Sequence, residues 1–179
     1  MSERRITSWY RNIEIENDPV AEKAIRKAIK KHFPTVKKII KIKVEDLQKA
    51  GVDYVIELED GFQITVDVKV RRSIENNWST TGKQDFLLEV RQGEKQPGWA
   101  IDDKLLTDVV LFVFPWADEK IYKKNGWKTS YAIAHKDLVE SVSTMVRTQR
   151  HNVFTAGDNG RTYSYCIAAT AEQIEKNIR

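Results

Sequence analysis

The chain has 179 residues, 31% of them charged, with a formal charge of +4 and a single cysteine, Cys166. That length can bury a real core as one domain, residues 1–179, without disulfides or structural metal. A lone cysteine in an apolar run excludes a disulfide framework and a cysteine-based zinc site. His32, His135 and His151 lack the spacing of a helix-borne zinc pair, and no stretch approaches the roughly 18 to 20 apolar residues of a membrane span.

The amino terminus, MSERRITSWYRN, has no apolar signal core, so a soluble cytoplasmic protein is expected. A pI near 9.0 fits a polyanionic partner without requiring one. The distribution of charge says more. Lys27, Lys30, Lys31, Lys37, Lys38, Lys41 and Lys43 crowd one short stretch, and they can either contact phosphates or form a solvated face.

Asn17-Asp18-Pro19 is a helix start, a capping side chain followed by a proline whose missing N–H is harmless there. The helix is expected over residues 19–32, with Val20, Ala24, Ala28, Ile25 and Ile29 as its apolar stripe, and Pro34 ends it. Residues 36–44 alternate Lys with Ile or Val and predict a strand, with a short helix as the alternative. Residues 46–51 form the turn into the most sharply patterned segment of the chain.

In that segment, residues 52–58 and 62–70, the even positions are apolar: Val52, Tyr54, Ile56, Leu58, Phe62, Ile64, Val66, Val68 and Val70. The odd positions carry Asp53, Glu57, Gln63, Thr65, Asp67 and Lys69, with Val55 the exception. Side chains alternate across a strand, so both apolar sets share a face only if the hairpin loop is odd. Glu59-Asp60-Gly61 meets that condition as a three-residue loop ending in a left-handed glycine. Asp53 then faces Asp67 with Cβ atoms roughly 5 Å apart, and Lys69 follows on the same face.

Residues 72–84 show no periodicity and predict a long loop of the functional kind. Residues 86–91 predict a strand with Phe86, Leu88 and Val90 on one face and Leu87, Glu89 and Arg91 on the other. Residues 93–98 are a turn region before Trp99. Residues 109–114, apolar on both faces, predict a strand in the middle of a sheet covered by helices. A short strand over 131–134, a helix over 135–150, a turn over 155–160, a strand over 161–169 and a helix over 171–178 complete the chain. The expected class is α/β, a mixed central sheet flanked by helices.

Two carboxylates beside a lysine suit phosphodiester hydrolysis. The acids supply hard oxygen ligands to Mg²⁺ or Mn²⁺, and the lysine can position the attacking water or neutralise developing charge. The same three residues also fit a solvated hairpin face with a cross-strand salt bridge.

Asp53 followed by Asp67-Val68-Lys69 resembles the PD-(D/E)XK nuclease superfamily, whose signature is an acid on one strand and (D/E)-x-K on the next. Val52 stands where that motif has proline. The likeness extends over residues 18–91: a helix, a strand, the acid-bearing hairpin, then Arg71 and Arg72. Gly51-Val52-Asp53, Asp67-Val68-Lys69-Val70-Arg71, Asp85-Phe86-Leu87-Leu88-Glu89 and Pro97-Gly98-Trp99 are similar to small phage-type members.

The resemblance implies a restriction-endonuclease-like fold and divalent-metal-dependent hydrolysis of DNA. Asp53, Asp67 and Glu89 would be metal ligands, Lys69 a catalytic residue, and Glu22 the further acid that some members carry on their first helix. Arg71, Arg72, Arg91 and Lys83 would hold the nucleic-acid backbone, and Trp78 would stack on a base. Enzymes that cut both strands often pair two sites about a two-fold axis, so a homodimer is compatible with this reading. The alternative is a non-catalytic nucleic-acid-binding or assembly protein retaining such a fold.

Overall fold

The Asp18 carboxylate accepts the Val20 N–H at 2.8 Å and Pro19 occupies the first helical position, which fixes where the first helix begins. The computed structural model describes residues 18–70, 85–92, 96–116, 119–148, 152–158 and 162–177. Helix α1 (Pro19–His32) buries Ala21, Ala24, Ile25, Ala28 and Ile29. Val20 stays half-buried, because the inward stripe runs through Ala21 instead.

Three antiparallel strands follow: β1 (Val36–Lys41), β2 (Tyr54–Leu58) and β3 (Gln63–Val70). The strand expected over residues 36–44 therefore forms rather than a helix but stops at Lys41, since Val44 already caps a short helix, α2 (Glu45–Lys49), that fills most of the expected turn. In the β2–β3 hairpin, Tyr54 pairs with Val66 and Ile56 with Ile64. The Leu58 N–H donates to the Phe62 carbonyl, and Gly61, at φ +86°, donates to that of Leu58. The loop is thus Glu59-Asp60-Gly61, and only a residue tolerant of positive φ closes it without strain. Phe62, expected on the buried face, is 66% exposed. Burial fades toward the hairpin tip, where Leu58 and Ile64 are only partly covered.

β4 (Asp85–Gln92) and β5 (Gln96–Pro97) come next, then β6 (Val109–Pro115), which lies parallel to β3. Asp108 anchors that register: its Oδ2 accepts from the Thr65 N–H and hydroxyl, each at 2.8 Å, and its N–H donates to the Thr65 carbonyl at 3.1 Å. Helix α3 (Glu119–Asn125) leads into β7 (Trp127–Ala134), antiparallel to β6, and helix α4 (His135–Thr148) follows. The chain closes with β8 (Asn152–Asp158), β9 (Thr162–Thr170) and α5 (Ala171–Lys176), the last opened by a Thr170/Gln173 capping box.

The first sheet has the order β1-β2-β3-β6-β7 and is mixed, so the class is α/β. On one face α1 packs Ile25 and Ile29 against Tyr54, Ile56, Val66, Leu111 and Val113. On the other, Val110, Phe112 and Phe114 meet Phe86 and Leu88 of β4, Ile167 and Ala169 of β9, and Leu138 and Val142 of α4. β6 is buried on both faces, as its composition requires.

Two expectations need correcting. Residues 86–91 do form a strand, but β4 belongs to a second, antiparallel sheet of order β5-β4-β9-β8 rather than to one central sheet. β6 occupies the free edge of β3, so β4 pairs with β9 and turns Phe86 and Leu88 onto the β6 face. The expected turn over 155–160 is also displaced, because residues 152–158 are strand and pair with β9 as far as Asp158↔Thr162.

Candidate active site

Asp53 stands at the mouth of the β2–β3 hairpin, held by its backbone. Its N–H donates to the Val66 carbonyl at 3.0 Å and its carbonyl accepts from Ile42 at 2.8 Å. The β2–β3 pairing ends at Tyr54↔Val66. Beyond it, the Val68 N–H finds an acceptor in the Asp53 side chain instead, Oδ2 at 2.8 Å.

One step further along the register lies Asp67, on β3 opposite Val110. It is 3% exposed. A solvated hairpin face would leave this carboxylate in water, whereas here the layer built from β4, β9 and α4 covers the sheet on this side. Asp67 Oδ2 lies 2.9 Å from Lys69 Nζ. The lysine ammonium in turn lies 4.8 Å from the centroid of the Trp99 ring, within cation–π range.

Trp99 is held by its backbone as well as its ring. The buried His135 places Nε2 at 3.2 Å from the Trp99 carbonyl, which can only accept, so that nitrogen carries the proton. Ala100 N–H donates to the Glu89 carbonyl at 3.0 Å. Gly98 packs directly on the backbone of Glu89 and Arg91, leaving no room for a Cβ.

The carboxyl groups of Asp53 and Asp67 adjoin each other. Burial raises the Asp53 pKa to about 6 against the hydrogen bond from Val68, which lowers it; the Asp67 charge raises it further and Lys69 lowers it. Burial beside a second carboxylate thus opposes the Asp53 charge, and a nearby cation offsets that cost.

Asp53 Oδ1 and Asp67 Oδ1 are used neither for Val68 nor for Lys69. A pair of hard carboxylate oxygens fits Mg²⁺ or Mn²⁺, ions commonly bound through one or two carboxylates, with water and substrate phosphate oxygens completing the shell.

Asp53, Asp67 and Lys69 are thus brought together, and two expected acids are not. Glu89 lies on β4 at the start of a bulge, where the β4–β9 register shifts between Glu89 and Arg91. No group of three or more His, Cys, Asp or Glu residues able to hold a metal occurs among the described residues. Glu89 is thus not grouped with Asp53 and Asp67 as a third ligand among the described residues.

Glu22 sits on the α1 side of the sheet. Its Oε1 accepts from Arg26 Nε at 2.6 Å, and its Oε2 accepts from the Tyr54 hydroxyl at 2.9 Å and lies 3.2 Å from Lys41 Nζ. Although burial raises its pKa, these hydrogen bonds outweigh burial and hold the carboxyl below its ordinary value. Glu22 ties α1 to β1 and β2 and is corrected from site acid to structural ion pair.

Arg91 is exposed on β4, and Arg71, Arg72, Trp78 and Lys83 lie outside the described residues. The site residue to which sequence reasoning assigned no role is Trp99. Its signal was the Pro97-Gly98-Trp99 sequence, a glycine permitting close backbone approach directly before an aromatic.

No described helix is long and apolar enough to cross a membrane. No family model, no curated protein and no solved structure matches the chain.

Proposed function

We propose that the chain is a divalent-metal-dependent nuclease of the PD-(D/E)XK type that hydrolyses DNA phosphodiester bonds. The observation that carries this reading is the buried Asp67, in contact with a second carboxylate and 2.9 Å from the ammonium of Lys69. Two adjoining carboxylates on a covered sheet face oppose folding unless something cationic is gained in return. The meander β1-β2-β3 joined to a parallel β6, with α1 on one face, supports the restriction-endonuclease-like reading of the fold.

Asp53 and Asp67 would hold Mg²⁺ or Mn²⁺. Bound there, the ion would acidify a water and offset negative charge on the phosphate. Lys69 is held in place from two sides, by Asp67 and by the face of Trp99, so its ammonium is preorganised to orient the attacking water or to meet developing negative charge.

A second reading, a nucleic-acid-binding or assembly protein without turnover, is favoured by one observation. The Asp53 carboxylate terminates the hairpin by accepting the Val68 N–H, a role it fills without any metal.

Labelled single-stranded, duplex and branched DNA incubated with the protein in Mg²⁺, Mn²⁺ or EDTA separates the two. Metal-dependent cutting lost in Lys69→Ala supports the nuclease. Folded protein that binds DNA equally well with metal or with EDTA, and cuts none of the three, supports the second reading.

A further inference from the structure

On the sheet face opposite the carboxylate pair, a cavity of about 200 Å³ opens between the second half of α1 and the start of β7. Its cations come from both elements, Lys27 and Lys31 from the helix and Lys128 from the strand, and no carboxylate lines it. Asn125 and Ser130 add neutral hydrogen-bonding groups. Ala24 and Ala28 lie on the helix wall, and their small side chains leave the hollow open.

The charge of the two helix lysines is not matched by acid among the described residues. Lys37, Lys41, Lys49 and Lys69 all have carboxylate partners, whereas Lys27 and Lys31 have none among the described residues. Burial, and then the charge of Lys31, hold the pKa of His32 below its ordinary value even though Ser130 Oγ lies 3.0 Å from its Nε2. The wall residue Trp127 carries the indole N–H that is buried without a hydrogen-bond partner among the described residues. A helix face that is merely solvated needs neither a hollow nor a cation contributed from a different element.

We infer that this pocket is an anion site for a phosphate group. Lys27 and Lys31, one turn apart on the helix wall, and the Asn125 amide beside a concave space suit a compact oxyanion. The volume is several times the roughly 30 Å³ share of a water molecule, yet below the roughly 300 Å³ at which pockets begin to enclose a whole small ligand. A phosphate therefore enters while any nucleoside attached to it stays outside. The inference does not depend on turnover at Asp53 and Asp67, which lie on the other sheet face.

Isothermal titration with sodium phosphate, in EDTA and against sodium chloride of equal ionic strength, tests it. The expected result is saturable one-site binding of phosphate. Lys27→Ala/Lys31→Ala weakens it by at least about tenfold, the loss expected from removing even one charge-assisted hydrogen bond. The control Lys23→Ala/Lys30→Ala removes the same charge from exposed positions of the same helix outside the pocket and leaves binding within about twofold.

Competition identifies the source. Displacement by a 5′-phosphorylated oligonucleotide but not by its 5′-hydroxyl twin points to a terminal monoester, displacement by both to backbone phosphate, and displacement by neither to a small free phosphate ligand. Absence of saturable phosphate binding, or equal loss in both double variants, overturns the site.

Discussion

The Asp53 carboxylate accepts the backbone N–H of Val68 at the point where the β2–β3 ladder stops, so one side chain both ends a hairpin and supplies half of an acid pair. The two roles are separable because one uses an oxygen and the other uses a charge. Asparagine keeps the oxygen and discards the charge, while alanine discards both. Asp53→Ala is expected to lose about 1 to 3 kcal/mol of stability relative to Asp53→Asn, because it leaves the Val68 N–H without the acceptor that asparagine keeps. Urea denaturation of the two variants checks this.

The raised pKa of Asp53 makes its charge a pH-dependent burden. Folded protein binds the proton more tightly than unfolded chain, so stability falls as pH rises from about 4, the ordinary carboxylate value, through about 6, and is level above that. Asp53→Asn should therefore gain thermal stability relative to wild type across that window and hold a constant advantage above it. Adding Mg²⁺ near neutral pH should reverse the order, raising the wild-type Tm by several degrees and leaving Asp53→Asn unmoved. Melting curves at a series of pH values, with and without Mg²⁺, show both effects or refute them.

Lys69→Met removes the cation from a buried carboxylate. Discounted for the partial exposure of Lys69, the expected cost is about 1 to 3 kcal/mol, recovered in the Asp67→Asn/Lys69→Met double variant, which pairs a neutral amide with an apolar stem. Neither variant should cleave. A double variant that folds normally and retains cutting would separate these residues from the chemistry.

Glu22→Gln should lose about 1 kcal/mol at neutral pH through its weakened pairing with Arg26 and Lys41, with cleavage changed less than about threefold. The Glu22 pKa is lowered in the fold, so its contribution is present above the ordinary carboxylate value and is lost as pH falls through the folded value. The stability gap between wild type and variant should accordingly close in acid. A large loss of cleavage in a stable Glu22→Gln protein would restore this acid to the site.

Gly98→Ala places a methyl group against the Glu89 carbonyl and the Arg91 N–H. The backbone of residues 98–101 has to move, taking Trp99 away from Lys69. The expected outcome is a loss of about 2 kcal/mol or more and a marked fall in cleavage. Intrinsic fluorescence and activity report the two effects separately.

How much of this was legible depends on what a repeat of two residues can carry. Alternation placed Asp53, Asp67 and Lys69 on one face and required the odd loop that Gly61 closes, because register and face are the same information in a hairpin. It could not say what covers that face, since the covering layer comes from β4, β9 and α4, far along the chain. Glu89 was assigned by resemblance alone, and the bulge that shifts its register with β9 leaves no mark in the alternation of residues 86–91. Glu22 had a local signal in its i,i+4 spacing to Arg26, which marks an intrahelical pair. Phe62 was misplaced because alternation records facing and not how far the opposing helix reaches.

The parallel β3–β6 ladder also has a consequence in time. Thr65 and its anchor Asp108 are 43 residues apart, whereas the hairpin that joins Asp53 to Asp67 closes through a three-residue loop. Hairpins of this kind form within about 1 to 10 µs, while long-range parallel pairing has to wait for a costlier loop closure. During synthesis the two acids thus meet while still open to water, where like charges repel weakly. The penalty of bringing them together falls due only when β4, β9 and α4 close over this face, so the late half of the chain decides when this centre becomes dry.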